Sequence, residues 1–220
     1  MNTQTILTLA QAPGAAGWTD SSVFSSAQAL LSSRQNISPK RLCEPGPSEV
    51  ELHQLMELAA TAPDHGLLTP WRFVVVPREQ RDRLAEVFAL ALLDRDAGAT
   101  LEQIEAAREK AHRAPLLMVA IARLGGAPAE ISEWERMVSV GAAIQNILLG
   151  AHAQGYGAGL TSGRAMASPR LAALLDLRAG ERAVCCINVG TVQRFKRRAR
   201  CRPAPADFLT VLGQQKEIVT

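Results

Sequence analysis

Apolar residues along this chain fall into two kinds of run, and their alternation lays out the elements. Leu116–Ala122 and Ala183–Val189 are apolar at nearly every position over strand length, which predicts strands buried on both faces. Glu133–Gln154 carries the longest helical apolar pattern and reads as the central helix. Its small residues Gly141, Ala142 and Ala143 would let another helix approach closely, from the same subunit or from a partner. Shorter helical patterns cover residues 23–33, 78–96 and 101–113, and Ser168-Pro169 caps a short helix to Leu175. A further helix opens with a capping box, Ser48 and Glu51, and presents Val50, Leu55, Met56, Leu58 and Ala59 as its apolar face. Residues 1–22 show no sustained period and read as a mobile extension, leaving 23–212 as the domain and 213–220 as a tail. Four strands alternating with helices around one long helix argue for a mixed α+β sandwich rather than a doubly wound sheet.

The stretch from Ala59 to Val76 holds the densest information, because a helix, a polar loop and a buried strand follow without a spacer. Pro63 ends the helix by Ala62, and Pro70, lacking an N–H, opens a strand over Arg72–Val76. Asp64 and His65 are thereby held at the mouth of a core element. The same Pro-Asp-His-Gly sequence also reads as an ordinary turn whose Asp caps a backbone N–H. Gly155–Gly163 is a glycine-rich run that on its own reads as a structural turn with room for close backbone approach; it lacks the six-residue spacing of a dinucleotide fingerprint, and a helix precedes it.

Composition narrows the classes. With 220 residues, 47% hydrophobic and 20% charged, the chain is an ordinary globular protein, and no run of eighteen apolar residues occurs. No basic segment precedes the brief apolar patch near the N-terminus, and Cys43, Cys185, Cys186 and Cys201 form neither a CxxC pair nor a disulfide framework. Both features favour the cytoplasm. The Cys185-Cys186 pair inside an apolar strand reads as inert core. The net charge of +3 is concentrated in the run Arg194–Arg202, and no RNA-binding aromatic motif or zinc-finger spacing supports nucleic acid as a partner.

The Ala-Pro-Asp-His and Pro-Trp-Arg-Phe segments resemble the nitroreductase family of FMN-dependent oxidoreductases, in its short single-domain branch. Three further segments follow the family order across about residues 24–210. Ser33-Arg34-Gln35-Asn36 stands where the family receives the FMN phosphate, Trp134-Glu135 where its central helix opens, and Gly155–Gly163 where a second segment meets the flavin. A planar guanidinium and a side-chain amide suit phosphate oxygens. The side chain of Trp134 itself is expected to pack at the helix start.

The resemblance implies a mostly antiparallel sheet flanked by helices, built as a homodimer with one FMN in each of two interface clefts. It places Arg34, Gln35 and Asn36 on the phosphate and ribityl chain. Thr61 and His65 would reach the flavin from a partner-facing loop, and Leu160, Thr161, Ser162 and Gly163 would lie along the ring. Gln35, Thr61 and Thr161 occupy positions where relatives carry arginine, and the run Arg194–Arg200 is the candidate to supply the missing charge. The implied activity is hydride transfer from NAD(P)H to an electron-poor acceptor such as a nitroaromatic or a quinone. No catalytic triad, metal cluster or carboxylate pair stands out, as a flavin carrying the chemistry requires. Other flavin reactions, dehalogenation or flavin destruction, share the fold, and a non-catalytic flavin- or nucleotide-binding module with a basic nucleic-acid-contacting tail stays open.

Overall fold

The structure, a computed structural model, describes residues 21–126, 128, 130–194 and 202–213. Most of the expected N-terminal extension, residues 195–201 of the basic run and nearly all of the expected tail therefore lie outside the described residues. The elements in chain order are α1 (Ser21–Ser33), β1 (Leu42–Cys43), α2 (Glu49–Ala60), β2 (Trp71–Val75), α3 (Arg81–Leu93), α4 (Leu101–Arg108), β3 (Leu116–Arg123), α5 (Glu133–Ala153), β4 (Gly157–Thr161), α6 (Pro169–Leu174), β5 (Glu181–Val192) and α7 (Pro205–Phe208).

β5 is the spine of the sheet. It pairs antiparallel with β3 through residues 181–189 and with β4 through 186–190, so β3 and β4 lie on opposite edges of it. β2 pairs antiparallel with β3, and β1 continues alongside the end of β5 at Thr191 and Val192. Alternation along β3 explains its unbroken apolar run. Leu116, Met118, Ala120 and Ala122 pack with α2 and α5 on one face, while Leu117, Val119 and Ile121 pack with α3 and α6 on the other.

The predicted α+β sandwich with an antiparallel sheet is what the chain forms, with differences that have physical causes. β1 is a two-residue strand that no period in the sequence marks, and it pairs with the end of β5 where that strand runs past Gly190 to Val192. The helix expected over 101–113 stops as α-helix at Arg108 and tightens into a 3₁₀ turn over Glu109–His112. Buried Arg81 ties that turn down, with Nε donating to the Val76 carbonyl at 2.6 Å and Nη1 to that of Ala111 at 2.6 Å. On α2, Leu55 and Ala59 are buried, whereas Val50 and Leu58 of its expected apolar face are exposed. The close approach of α2 to α5 occurs at Gly150, where a Cβ would meet Leu58 Cδ1 at 2.6 Å, and not at Gly141, whose missing Cβ faces open space.

Candidate functional site

Two separate groups of the predicted residues emerge. The first is built on β4. The segment after α1 runs beside this strand: Asn36 bridges Ala158, and the Ile37 N–H donates to the Ala158 carbonyl at 2.9 Å. Gly159 is required there, because a Cβ would sit 2.1 Å from the Ile37 carbonyl oxygen. Arg34, Gln35 and Asn36 are thereby fixed at the edge of β4. Arg34 is half-buried, and Nη2 of Arg202 donates to its carbonyl oxygen at 2.9 Å. Burial, and next the charge of Arg202, lower the pKa of Arg34, so an anion placed between the two guanidiniums would relieve both costs.

Beyond Thr161, β4 opens into a cavity of about 540 Å³ between the strand end and the α3–α4 pair. Thr161, Ser162 and Gly163 line it together with Pro39, Phe88, Leu92 and Asn188. Strand alternation turns Thr161 toward this cavity, whereas Leu160, opposite Ile187, lies on the other face of the sheet and does not line it. Asn188, 1% exposed, is the polar residue in the otherwise apolar stretch Ala183–Val189 of β5, and its Nδ2 donates to the Gly159 carbonyl at 3.3 Å and to Thr161 Oγ1 at 3.1 Å. It locks the end of β4. Sequence reasoning passed over it, although one amide within Ala183–Val189 was a visible signal. Arg95, Lys110, Arg113 and Arg164 also line the cavity and were not singled out, because turns far apart in sequence bring them together.

The vicinal cysteines are inert here. Burial pushes the Cys185 thiol up to about 11, and burial with the neighbouring Cys185 pushes Cys186 up to about 12, so neither is a thiolate near neutral pH.

The second group lies at the junction of α2 and α5. Thr61 donates to the Leu58 carbonyl at 2.8 Å and accepts from Asn146 Nδ2 at 3.1 Å. His65 Nδ1 is 3.3 Å from Glu135 Oε1, and both side chains are exposed. Glu135 is also the far half of the α5 capping box, and hydrogen bonds from the backbone and then the side chain of Ser132, followed by the one to His65, hold its pKa low. The Asp64 carboxylate accepts the Thr69 N–H and closes a loop in which Gly66, Leu67 and Thr69 all have positive φ. Trp134 beside this loop is 82% exposed, so the expectation that it packs at the helix start is corrected. Neither Thr61 nor His65 lines the β4 cavity.

A sheet of this topology, with a glycine-rich edge strand and a cavity at its end, defines a nitroreductase-type fold. Residues 42–191 match the nitroreductase family, and the chain belongs to it. It is 32% identical over 184 residues to a Haemophilus influenzae protein provisionally named an NAD(P)H nitroreductase, covering 83% of this chain and 97% of the relative. It is 30% identical over 181 residues to Escherichia coli YdjA, which carries the same provisional name, covering 82% and 96%. Among solved structures, a nitroreductase-like protein from Bacillus cereus aligns with a TM-score of 0.73 at 18% identity, covering 84% of this chain and 95% of that one. The FMN-dependent nitroreductase NfnB from Mycobacterium smegmatis, solved with NADPH, aligns with a TM-score of 0.66 at 15% identity, covering 86% and 99%. Among the described residues no helix is long and apolar enough to cross a membrane.

Proposed function

We propose that this nitroreductase-family protein is an FMN-dependent oxidoreductase that takes hydride from NAD(P)H and passes it to an electron-poor acceptor such as a nitroaromatic or a quinone. It works as a cytoplasmic homodimer whose two clefts each draw on both chains. The observation that carries this reading is the pairing of the Arg34–Asn36 segment with β4, whose end opens into the cavity lined by Thr161, Ser162 and Gly163. The cavity volume is in the range of a cofactor site, and the half-buried, desolvated Arg34 next to Arg202 suits a phosphate. Bound FMN would supply the two-electron chemistry.

The chain's own part is binding, orientation and exclusion of water. Arg34, with Arg202 beside it, would hold the phosphate, and Gln35 and Asn36 the ribityl chain. Thr161, Ser162 and Gly163 would line the ring, with Asn188 fixing Thr161, while Leu160, on the other face of the sheet, would not. Thr161 replaces the arginine of relatives with a hydroxyl that already has a partner, so it contributes shape rather than charge. Thr61 and His65 lie apart from this cavity within one chain and would complete the cleft of a second copy. His65, paired with Glu135, is a positioning residue in this scheme.

FMN fluorescence titration tests the reading. The chain is expected to bind FMN, turn yellow and bleach with NADPH. Arg34→Ala should weaken FMN binding by about 10- to 100-fold, the range for one charge-assisted hydrogen bond. Undiminished affinity in that variant would remove the phosphate from Arg34.

A further inference from the structure

The cavity at the end of β4 carries positive charge that the proposed phosphate position does not use. Arg95 from the α3–α4 turn, Lys110 from the turn after α4 and Arg164 from the turn after β4 all line it. Among the described residues, none of these three side chains makes a hydrogen bond or ion pair. Their neighbours differ. Arg108 is bridged to Glu86 at 2.9 Å and to Glu105 at 2.6 Å, Arg113 to Glu109 at 3.3 Å, and Arg170 to Asp94 at 2.6 Å. Asp96, the carboxylate in the same lining, accepts the Gly98 N–H at 3.1 Å within its own turn. Three cations from three separate turns thus share one cavity wall, and Phe88, Leu92 and Met166 supply an apolar surface beside them.

A concave, partly apolar cavity focuses the field of such charges, and an exposed cation gains most from a partner that arrives with a desolvating body attached. A flat apolar ligand bearing one anionic group matches both halves of the wall. The cofactor phosphate has its own pair of guanidiniums in Arg34 and Arg202, and neither of these lines the cavity. We propose that the Arg95–Lys110–Arg164 rim recognises a carboxylate, sulfonate or phosphate on the substrate that meets the flavin, giving the enzyme a preference for anionic over neutral substrates. This rests on the flavin reading above and names the substrate class of that cleft.

The test uses the FMN-loaded full chain and its Arg95→Gln/Arg164→Gln double variant. Calorimetric binding of naphthalene-2-sulfonate, which cannot be reduced, is compared with that of neutral 2-naphthol. The sulfonate is expected to bind the wild type more tightly, and the variant to lose about 10-fold of that preference, as expected for two screened charges. The ratio of kcat/KM for 1,4-naphthoquinone-2-sulfonate to that for 1,4-naphthoquinone should fall by a similar factor if the anion belongs to the acceptor. If that ratio holds while the KM for NADPH rises relative to that for NADH, the rim reads the 2′-phosphate of the reductant. No change in any of these three comparisons overturns the proposal. So does loss of FMN from the double variant as deep as that from Arg34→Ala, since the rim would then be holding the cofactor. A chain that binds no FMN yet still prefers the sulfonate through these arginines would sink the flavin reading and leave the anion site standing.

Discussion

Glu181, at the start of β5, has its side chain only 5% exposed, and Arg72 clamps it with Nε at 2.9 Å and Nη2 at 2.7 Å. The Arg178 N–H donates to the same carboxylate at 3.0 Å. These partners, the hydrogen bonds from Arg72 first, hold the Glu181 carboxyl down to about 2. Because the folded pKa is depressed, the ion pair stabilises the fold fully above the unfolded carboxylate value, and that contribution is lost as pH falls through the folded value. The window runs from about pH 4.5 down to about 2. Glu181→Gln is expected to cost roughly 2–3 kcal/mol at pH 7, since Arg72 is left half-buried without its charge partner. Urea unfolding at pH 7 and at pH 2.5 checks this: the gap between wild type and variant should shrink at the acid pH. An equal gap at both would mean that packing, not charge, is what Glu181 contributes. The consequence reaches the cavity wall, because Arg72 also donates to the carbonyls of Leu175 and Asp176 at 3.2 Å and so anchors the end of α6, just after the turn that carries Arg164.

At the scale of elements, the join between β4 and the segment after α1 decides whether Arg34 is in place. Gly159→Ala would put a methyl against the Ile37 carbonyl at 2.1 Å, a backbone atom that cannot swing aside. The expected outcome is loss of the Asn36–Ala158 bridge and a weakening of FMN binding by at least about 10-fold, with a stability cost of ~1–3 kcal/mol. Ala158→Gly, one residue away on the other face, should leave FMN affinity closer to wild type, and equal losses in the two variants would refute the local account. The glycine-rich run was legible as a place of close backbone approach, but its partner was not. The partner of Gly159 within the chain is the Ile37 backbone, which no sequence signal marks. Strands β3 and β5 were legible because burial on both faces leaves an unbroken apolar run, and α2 because its capping box is a local signal. β1 was hidden, since two residues carry no period. The rim of Arg95, Lys110 and Arg164 was hidden for a different reason: each reads as a solvated cation until the fold sets them around one cavity.

At the scale of the whole molecule, several large apolar side chains are exposed among the described residues. None of α1 is buried, Val138 on α5 is 71% exposed beside the 82% of Trp134, and Phe208, Leu209, Val211 and Leu212 around α7 are exposed as well. The proposed dimer would cover exposed apolar residues of this kind. Their location matters more than their extent. Trp134 opens α5 next to the His65–Glu135 pair, and α1 leads directly into Arg34, so both groups of candidate residues border surface that a second copy would cover. A symmetric dimer makes each such contact twice and would supply to each β4 cavity the Thr61–His65 group that its own chain holds elsewhere. Cofactor affinity and assembly are then linked, each stabilising the other by mass action. Val138→Glu places a charge on the exposed face of α5, which costs nothing in a monomer and several kcal/mol when desolvated against a partner. The variant is expected to sediment as a monomer that retains its helical circular dichroism, with FMN released at micromolar protein, while the wild type loses FMN only on dilution into the range where it dissociates. A Val138→Glu dimer, or a wild-type monomer that keeps FMN at nanomolar concentration, would leave the cleft complete within one chain and return Thr61 and His65 to the surface.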